Sequence, residues 1–152
     1  MIKPPPLGWL ADEIQAPSLL ELNAWYNAAR ADRPLAPADA IGKLAELPAA
    51  EDLGLVQIMP DGSYLYRQIG PAYAKLSELR PDADGLTRES RAVMRQHLDL
   101  AGSEAKPFHV SITRWDGPRI LQYDRLILPL TDADDAITHL LIGEAFLRVA
   151  RG

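Results

Sequence analysis

From Ser18 the apolar positions Leu19, Leu22, Trp25, Tyr26 and Ala29 recur at helical spacing until Pro34, which predicts an amphipathic helix over 19–31. Ser18 with Glu21 three residues on reads as a capping box at its start. A weaker pattern of Ile41, Leu44 and Leu47, stopped by Pro48, predicts a second helix over about 37–47. At Leu53 the period changes. Leu53–Met59 and Ser63–Ile69 read as two strands around Pro60-Asp61-Gly62, and Asp-Gly between such runs signals a hairpin. Gly70-Pro71 breaks the sheet. Residues 71–100 then read as helical pieces around a loop at Arg80–Gly85, the longer piece being Arg88–Leu100. Alternation returns at Phe108, Val110 and Ile112, and Asp116-Gly117-Pro118 turns the chain into a long strand, Ile120–Leu130. An acidic turn, Thr131–Ala136, leads to a closing strand, Ile137–Leu147.

Two strands, a helical excursion and three meandering strands predict an α+β fold: a five-stranded antiparallel sheet with a helical insert and an N-terminal helix. A parallel plan would need a crossover helix between all the strands. Residues 1–17, with Pro4, Pro5, Pro6 and Pro17, read as an extended arm, leaving 18–152 as the domain. No internal repeat or second boundary is evident.

Composition changes this picture mainly by exclusion. A chain of 152 residues with 47% hydrophobic residues can bury a sufficient core without staples. It has no cysteine, which excludes disulfides, thiolate metal sites and cysteine nucleophiles and fits a reducing compartment. A net charge of −5 with scattered basic residues argues against nucleic acid as a partner. The start lacks the apolar stretch of a targeting signal, and the longest apolar runs fall far short of the roughly 20 residues of a membrane helix. The expectation is a cytoplasmic protein with no membrane segment.

Beyond element order, Leu19-Leu20 through Trp25 and Arg30, then Tyr64-Leu65-Tyr66-Arg67-Gln68-Ile69-Gly70, then Tyr123-Asp124-Arg125-Leu126-Ile127-Leu128-Pro129-Leu130 follow one another with a recurring spacing. In these stretches the chain resembles the single-domain PAS-like proteins of alphaproteobacteria, over about residues 18–146. The segment after the first helix is shorter than in that family, and its glycine-rich turn survives only as Asp84-Gly85. The resemblance implies a sensory or interaction module with a cavity between sheet and insert. The expectation is a domain with no fused kinase, cyclase or DNA-binding domain, whose output passes to an unidentified signalling protein.

Pockets in sensory folds are apolar with a few convergent polar groups, which selects Tyr66, Tyr73, Val93, Met94, His97, Tyr123, Arg125 and Leu141 as ligand-binding candidates. His97 lies on the insert helix, where haem-binding relatives carry their proximal ligand, so haem is one candidate cofactor and an ordinary core or surface histidine the other reading. His109 and His139 have no acid or histidine at metal-ligand spacing, and no metal site is expected. The run Asp132, Asp134, Asp135 lacks the glycine and terminal glutamate of a calcium loop and reads as a solvated turn. Arg67 and Arg125 sit mid-strand among apolar neighbours, where each needs a partner: an anion in the cavity, or an acid such as Asp124.

Three functions are therefore compared. The first is a non-catalytic sensor that binds a small molecule or a protein partner. The second is a small isomerase- or hydratase-like enzyme on a cone-shaped α+β scaffold, where an Asp/His or Asp/Tyr pair would need a raised carboxyl as base. The third is a ligandless dimerisation module. A homodimer is expected through residues 19–31, because Leu19, Leu22, Trp25 and Tyr26 offer more apolar surface than a sheet lid requires.

Overall fold

The computed structural model describes residues 10, 12–78, 86–116 and 118–151. Its first helix, α1, spans Pro17–Arg30. Strand β1 (Ala36–Pro37) and three single 3-10 turns follow, and then β2 (Leu53–Ile58) and β3 (Tyr64–Ile69). The insert supplies helices α2 (Pro71–Glu78) and α3 (Leu86–Glu104). Strands β4 (Phe108–Asp116), β5 (Arg119–Thr131) and β6 (Ile137–Arg151) close the sheet. The loop expected at Arg80–Gly85 lies outside the described residues.

The five long strands are antiparallel, with β6 between β5 and β2, β3 outside β2 and β4 outside β5. This is the α+β arrangement that the element order predicts, two strands and a three-stranded meander in one sheet with a helical insert between them. One correction is needed: β1 pairs parallel with Leu130 and Thr131 of β5, so the sheet has six strands and is mixed. The two-residue strand ends on Pro37, where the second helix was expected to begin. Beyond it Gly42 adopts a positive φ of 58°, and the chain between Pro37 and Pro48 breaks into single turns rather than an α-helix. Its apolar residues Ile41, Leu44 and Leu47 are nonetheless all buried.

The start of α1 also differs from expectation. Ala16 is the N-cap and makes no side-chain cap bond, while Pro17 opens the helix, where its missing N–H costs nothing. Ser18 is thus inside the helix, and its hydroxyl donates to Asp52 Oδ2 at 3.2 Å instead of forming a capping box.

The sheet is covered on both faces. On one side α1 and the segment before it pack Ile14, Ala16, Leu19, Leu22 and Tyr26 against Leu53, Leu126, Leu128, Leu130 and Leu141. On the other the insert packs Tyr73, Met94, Leu98 and Ala101 against Val56, Ile127, Leu140 and Ile142. Residues 14 and 16 of the expected arm belong to this core. Leu19, Leu22 and Tyr26 are fully buried, and the Tyr26 hydroxyl donates to the Pro129 carbonyl at 2.6 Å. The face assigned to a homodimer is therefore spent on the chain's own sheet. A large apolar helix face needs covering, but here the covering is internal.

Gly143 makes that close seating of α1 feasible. A Cβ at this position would lie 2.7 Å from Leu19 Cδ2 and 3.2 Å from Leu22 Cδ2. Gly143→Ala is expected to destabilise the fold by about 1–3 kcal/mol, the usual cost of overpacking. Chemical denaturation of the two proteins would check it, and an unchanged midpoint would show that α1 can simply slide.

Candidate functional site

Strand alternation sends neighbours on β5 to opposite faces of the sheet. Arg125 faces the insert and Asp124 the N-terminal segment, and each organises a polar cluster.

Arg125 is 2% exposed and stands opposite Glu144 of β6 and Val110 of β4. Its Nη2 donates to Glu144 Oε2 at 3.3 Å and its Nη1 to His97 Nδ1 at 2.9 Å. Tyr123 lies on the same face, its ring centroid 5.8 Å from the guanidinium carbon and 6.4 Å from the ring of Phe146. His97 packs on Phe108 at 4.9 Å between centroids. Arg125 Nε, buried, has no hydrogen-bond partner among the described residues.

A guanidinium only donates, so His97 Nδ1 accepts and the ring proton sits on Nε2. Burial, and then the Arg125 charge, lower the His97 pKa below its ordinary value of 6.5, with Glu144 opposing. A proximal haem ligand must offer a nitrogen lone pair to iron. Here one nitrogen is taken by Arg125 and the other carries the proton, so the residues present do not fit haem ligation through His97.

Because the folded pKa lies below 6.5, the folded state resists protonation more than the unfolded chain does. Stability is thus complete above pH 6.5 and falls as the pH drops from 6.5 towards the folded value. His139, also lowered by burial and by Arg67, adds in the same direction. His97→Gln keeps an acceptor for Arg125 without titrating. It is expected to flatten part of the fall in Tm between pH 7 and pH 5.5, and an unchanged profile would exclude His97 as a source.

The other ligand-binding candidates separate. Tyr73 is buried, and Tyr66, 39% exposed, meets it hydroxyl to hydroxyl at 2.7 Å. Both rings rest over Gly54, where an added Cβ would lie 3.1 Å from Tyr73 and 3.2 Å from Tyr66. Met94 is buried against the sheet. Val93, adjacent to it on α3, is 42% exposed and is not part of a wall. Leu141 is buried but faces α1, on the opposite side of the sheet from the insert. Thus His97, Tyr123 and Arg125 are brought together, Tyr66 and Tyr73 form a separate pair, and Leu141 belongs elsewhere. A cavity of about 450 Å³ lies at another place again, bordered by Leu44, Glu51, Ile69 and Pro71.

Arg67 takes the solvent reading: exposed on β3, it donates through Nε to Gln57 Oε1 at 2.6 Å. The acidic turn is also as expected, with Asp132 Oδ1 accepting from the amides of Asp134 and Ala136. No group of three metal-ligating side chains occurs among the described residues. No helix among them is long and apolar enough to cross a membrane.

The second cluster centres on Asp124, fully buried. Its Oδ2 accepts from the amides of Gln15 at 2.7 Å and Ala16 at 2.8 Å. Its Oδ1 accepts from the Ser111 hydroxyl at 3.0 Å and lies 2.9 Å from His109 Nε2. Burial pushes this carboxyl up, but these hydrogen bonds outweigh it and hold the pKa below the ordinary 3.8. His109 Nδ1 lies 3.8 Å from Glu13 Oε2, so the ring bridges the segment before α1 to the sheet.

For Arg67 and Arg125 sequence reasoning weighed an anion in the cavity against pairing with an acid such as Asp124. Alternation forbids the Asp124–Arg125 pairing, because the two are adjacent on a strand, and the same rule would have sent Asp124 to look for donors on the opposite face. Glu144, the actual partner of Arg125, is the other acid inside a long apolar strand, which is the signal that could have found it.

No family model matches the chain, and neither does any curated protein. Among solved structures it is similar to a sensory box sensor histidine kinase from Vibrio cholerae, at 14% identity and a TM-score of 0.45, over 63% of this chain and 82% of that one.

Proposed function

We propose that the chain is a PAS-like sensory or regulatory domain that binds a small molecule or a protein partner where α3 meets the sheet, and that it catalyses nothing. The observation that carries this reading is the buried Arg125 Nε–H left without a partner among the described residues, beside a His97 ring whose outer nitrogen holds its proton. Buried donors without acceptors are rare and costly, and a ligand acceptor is one way to satisfy them. Both groups are donors, so the small molecule is one that presents an acceptor, such as a carbonyl or carboxylate. Tyr123 and Phe146 supply apolar surface beside the head group. Output goes to a signalling protein in the cytoplasm, a compartment that suits a chain without cysteine.

The enzyme reading rests on the Asp124–His109 pair. A general base must have a free lone pair near its substrate and a pKa raised towards neutrality. Asp124 has each oxygen engaged by two donors, and its carboxyl is held low. That favours a structural clamp.

Native mass spectrometry of freshly purified protein tests the sensory reading. The expected result is a retained small molecule that is lost on denaturation, and retained less by Arg125→Met. A bare chain mass, with no thermal shift across acceptor-bearing metabolite mixtures, would sink it.

A further inference from the structure

The cavity of about 450 Å³ lies apart from the Arg125 cluster, where β3 gives way to α2. It is bordered by residues of the single 3-10 turns Leu44–Glu46 and Ala50–Asp52, and by the end of β3 with the first residue of α2. Gly70 fixes how closely these two parts meet. A Cβ there would lie 2.3 Å from the Ala50 carbonyl oxygen and 2.6 Å from that of Glu51. Its N–H donates to the Leu53 carbonyl at 2.7 Å. The contact is backbone on backbone, so the two borders are held at a set spacing.

Two observations describe what would fill it. Ile69 is 49% exposed, the most exposed large hydrophobic side chain among the described residues, and it borders the cavity together with Leu44, Ala45 and Pro71. An apolar lining around a volume of this order is the usual form of a small-molecule site. The second observation is charge. Among the described residues Glu51 is the one charged side chain of the lining, and it forms no ion pair. Asp52 beside it adds a further acid: burial raises its carboxyl, and the Glu51 charge raises it again, against the Ser18 hydrogen bond. Arg67, two residues before Ile69, is engaged with Gln57 Oε1 and does not answer Glu51. Pro71, which opens α2, has no N–H to offer an anion.

We propose that this cavity binds a small organic cation, an amine on a short apolar body, whose ammonium meets Glu51 while the body covers Ile69 and Leu44. Gln68, also on the border, offers its amide oxygen as a further acceptor. The cavity shares no residue with the Arg125 cluster, so the proposal stands independently of what that cluster binds. Its position gives the amine a bearing on the insert. Pro71 borders the cavity, and Tyr73, in the same turn of α2, meets the Tyr66 hydroxyl at 2.7 Å. An occupant at the junction of β3 and α2 therefore holds the root of the insert to the sheet.

The test titrates the full chain by NMR with three probes of matched shape: hexylamine, hexanol and hexanoate. The expected result is saturable amide shifts at Ala45, Glu51 and Ile69 with hexylamine, weaker ones with hexanol and the weakest with hexanoate. Glu51→Gln is expected to weaken hexylamine about three- to fivefold and to leave hexanol unchanged, the worth of a solvent-exposed ion pair. Ala45→Phe fills the cavity from an exposed position and is expected to abolish the shifts. Unchanged thermal melts would verify that both variants fold, and should Ala45→Phe not fold, Glu51→Gln decides alone. Hexanoate binding as tightly as hexylamine, equal hexylamine affinity for Glu51→Gln, shifts centred away from the cavity, or no binding would each overturn the proposal. None of these outcomes touches the Arg125 cluster, because retention of a ligand in native mass spectrometry, and its loss in Arg125→Met, decides that separately.

Discussion

Glu144→Leu is expected to destabilise the domain by about 3–5 kcal/mol, because it leaves Arg125 charged and buried without its counter-ion. The guanidinium is 2% exposed, its only carboxylate among the described contacts is Glu144 at 3.3 Å, and its Nε is already unsatisfied. His97 cannot compensate, since it meets Arg125 as a neutral acceptor. The double variant Arg125→Met with Glu144→Leu removes both charges at similar volume, and is expected to recover most of the loss or to exceed wild-type stability. Urea denaturation of wild type, the single variant and the double variant closes the comparison. A single variant within about 1 kcal/mol of wild type would mean that water reaches the pair and that it is not a buried ion pair at all. A stable double variant that no longer retains a ligand would separate binding from folding at this site.

Asp124→Ala is expected to be as damaging, by a different route. It deletes the acceptor of four donors at once, of which the Ala16 amide is buried and the Gln15 amide partly so. An orphaned buried donor costs about 1–3 kcal/mol, so the sum is on the order of 3–5 kcal/mol after relaxation. The loss should be local first: hydrogen exchange at residues 15 and 16 is expected to accelerate more than exchange in β5. Uniform acceleration would point to global unfolding instead. Acid should act on the same clamp. A carboxyl held below 3.8 in the folded state contributes stability that is complete above 3.8 and lost as the pH falls from there through the folded value. Asp124→Asn is expected to remove that part of the acid dependence at some cost in stability at pH 7.

Much of this fold was legible because strands and helices have different periods. The hairpin at Asp61-Gly62, the interruption at Gly70-Pro71 and the alternation of Phe108, Val110 and Ile112 each follow from local chemistry, and the observed β2, β3 and β4 agree closely with them. The segment over 37–47 was less legible. Its three apolar residues are buried as a helical face would be, yet Gly42 and the flanking prolines decide the backbone. The candidate site was legible only in part. Leu140, Leu141 and Ile142 are all fully buried because the sheet is covered on both sides, so no alternation in the sequence tells which of them faces the insert. The same double burial explains why the apolar face of α1 read as an interface between copies. A sequence shows that such a face needs a cover, and only the tertiary arrangement shows that the sheet provides it.

The adjacency of Asp124 and Arg125 also fixes how β5 can pair. A slip by one residue in a strand exchanges its two faces. On β5 that would turn the carboxylate towards Glu144 and away from the Gln15 and Ala16 amides, and turn the guanidinium into those amide donors. Both faces would then carry an unpartnered charge at once, in the middle of a strand whose apolar residues alone are too uniform to resist the shift. Irregularities in register at Gln122/Tyr123 and Leu130/Thr131 bracket the stretch that the two charges hold. The charged couple therefore acts against wrong structures: it makes the alternative registers of the most apolar strand the costliest ones to form.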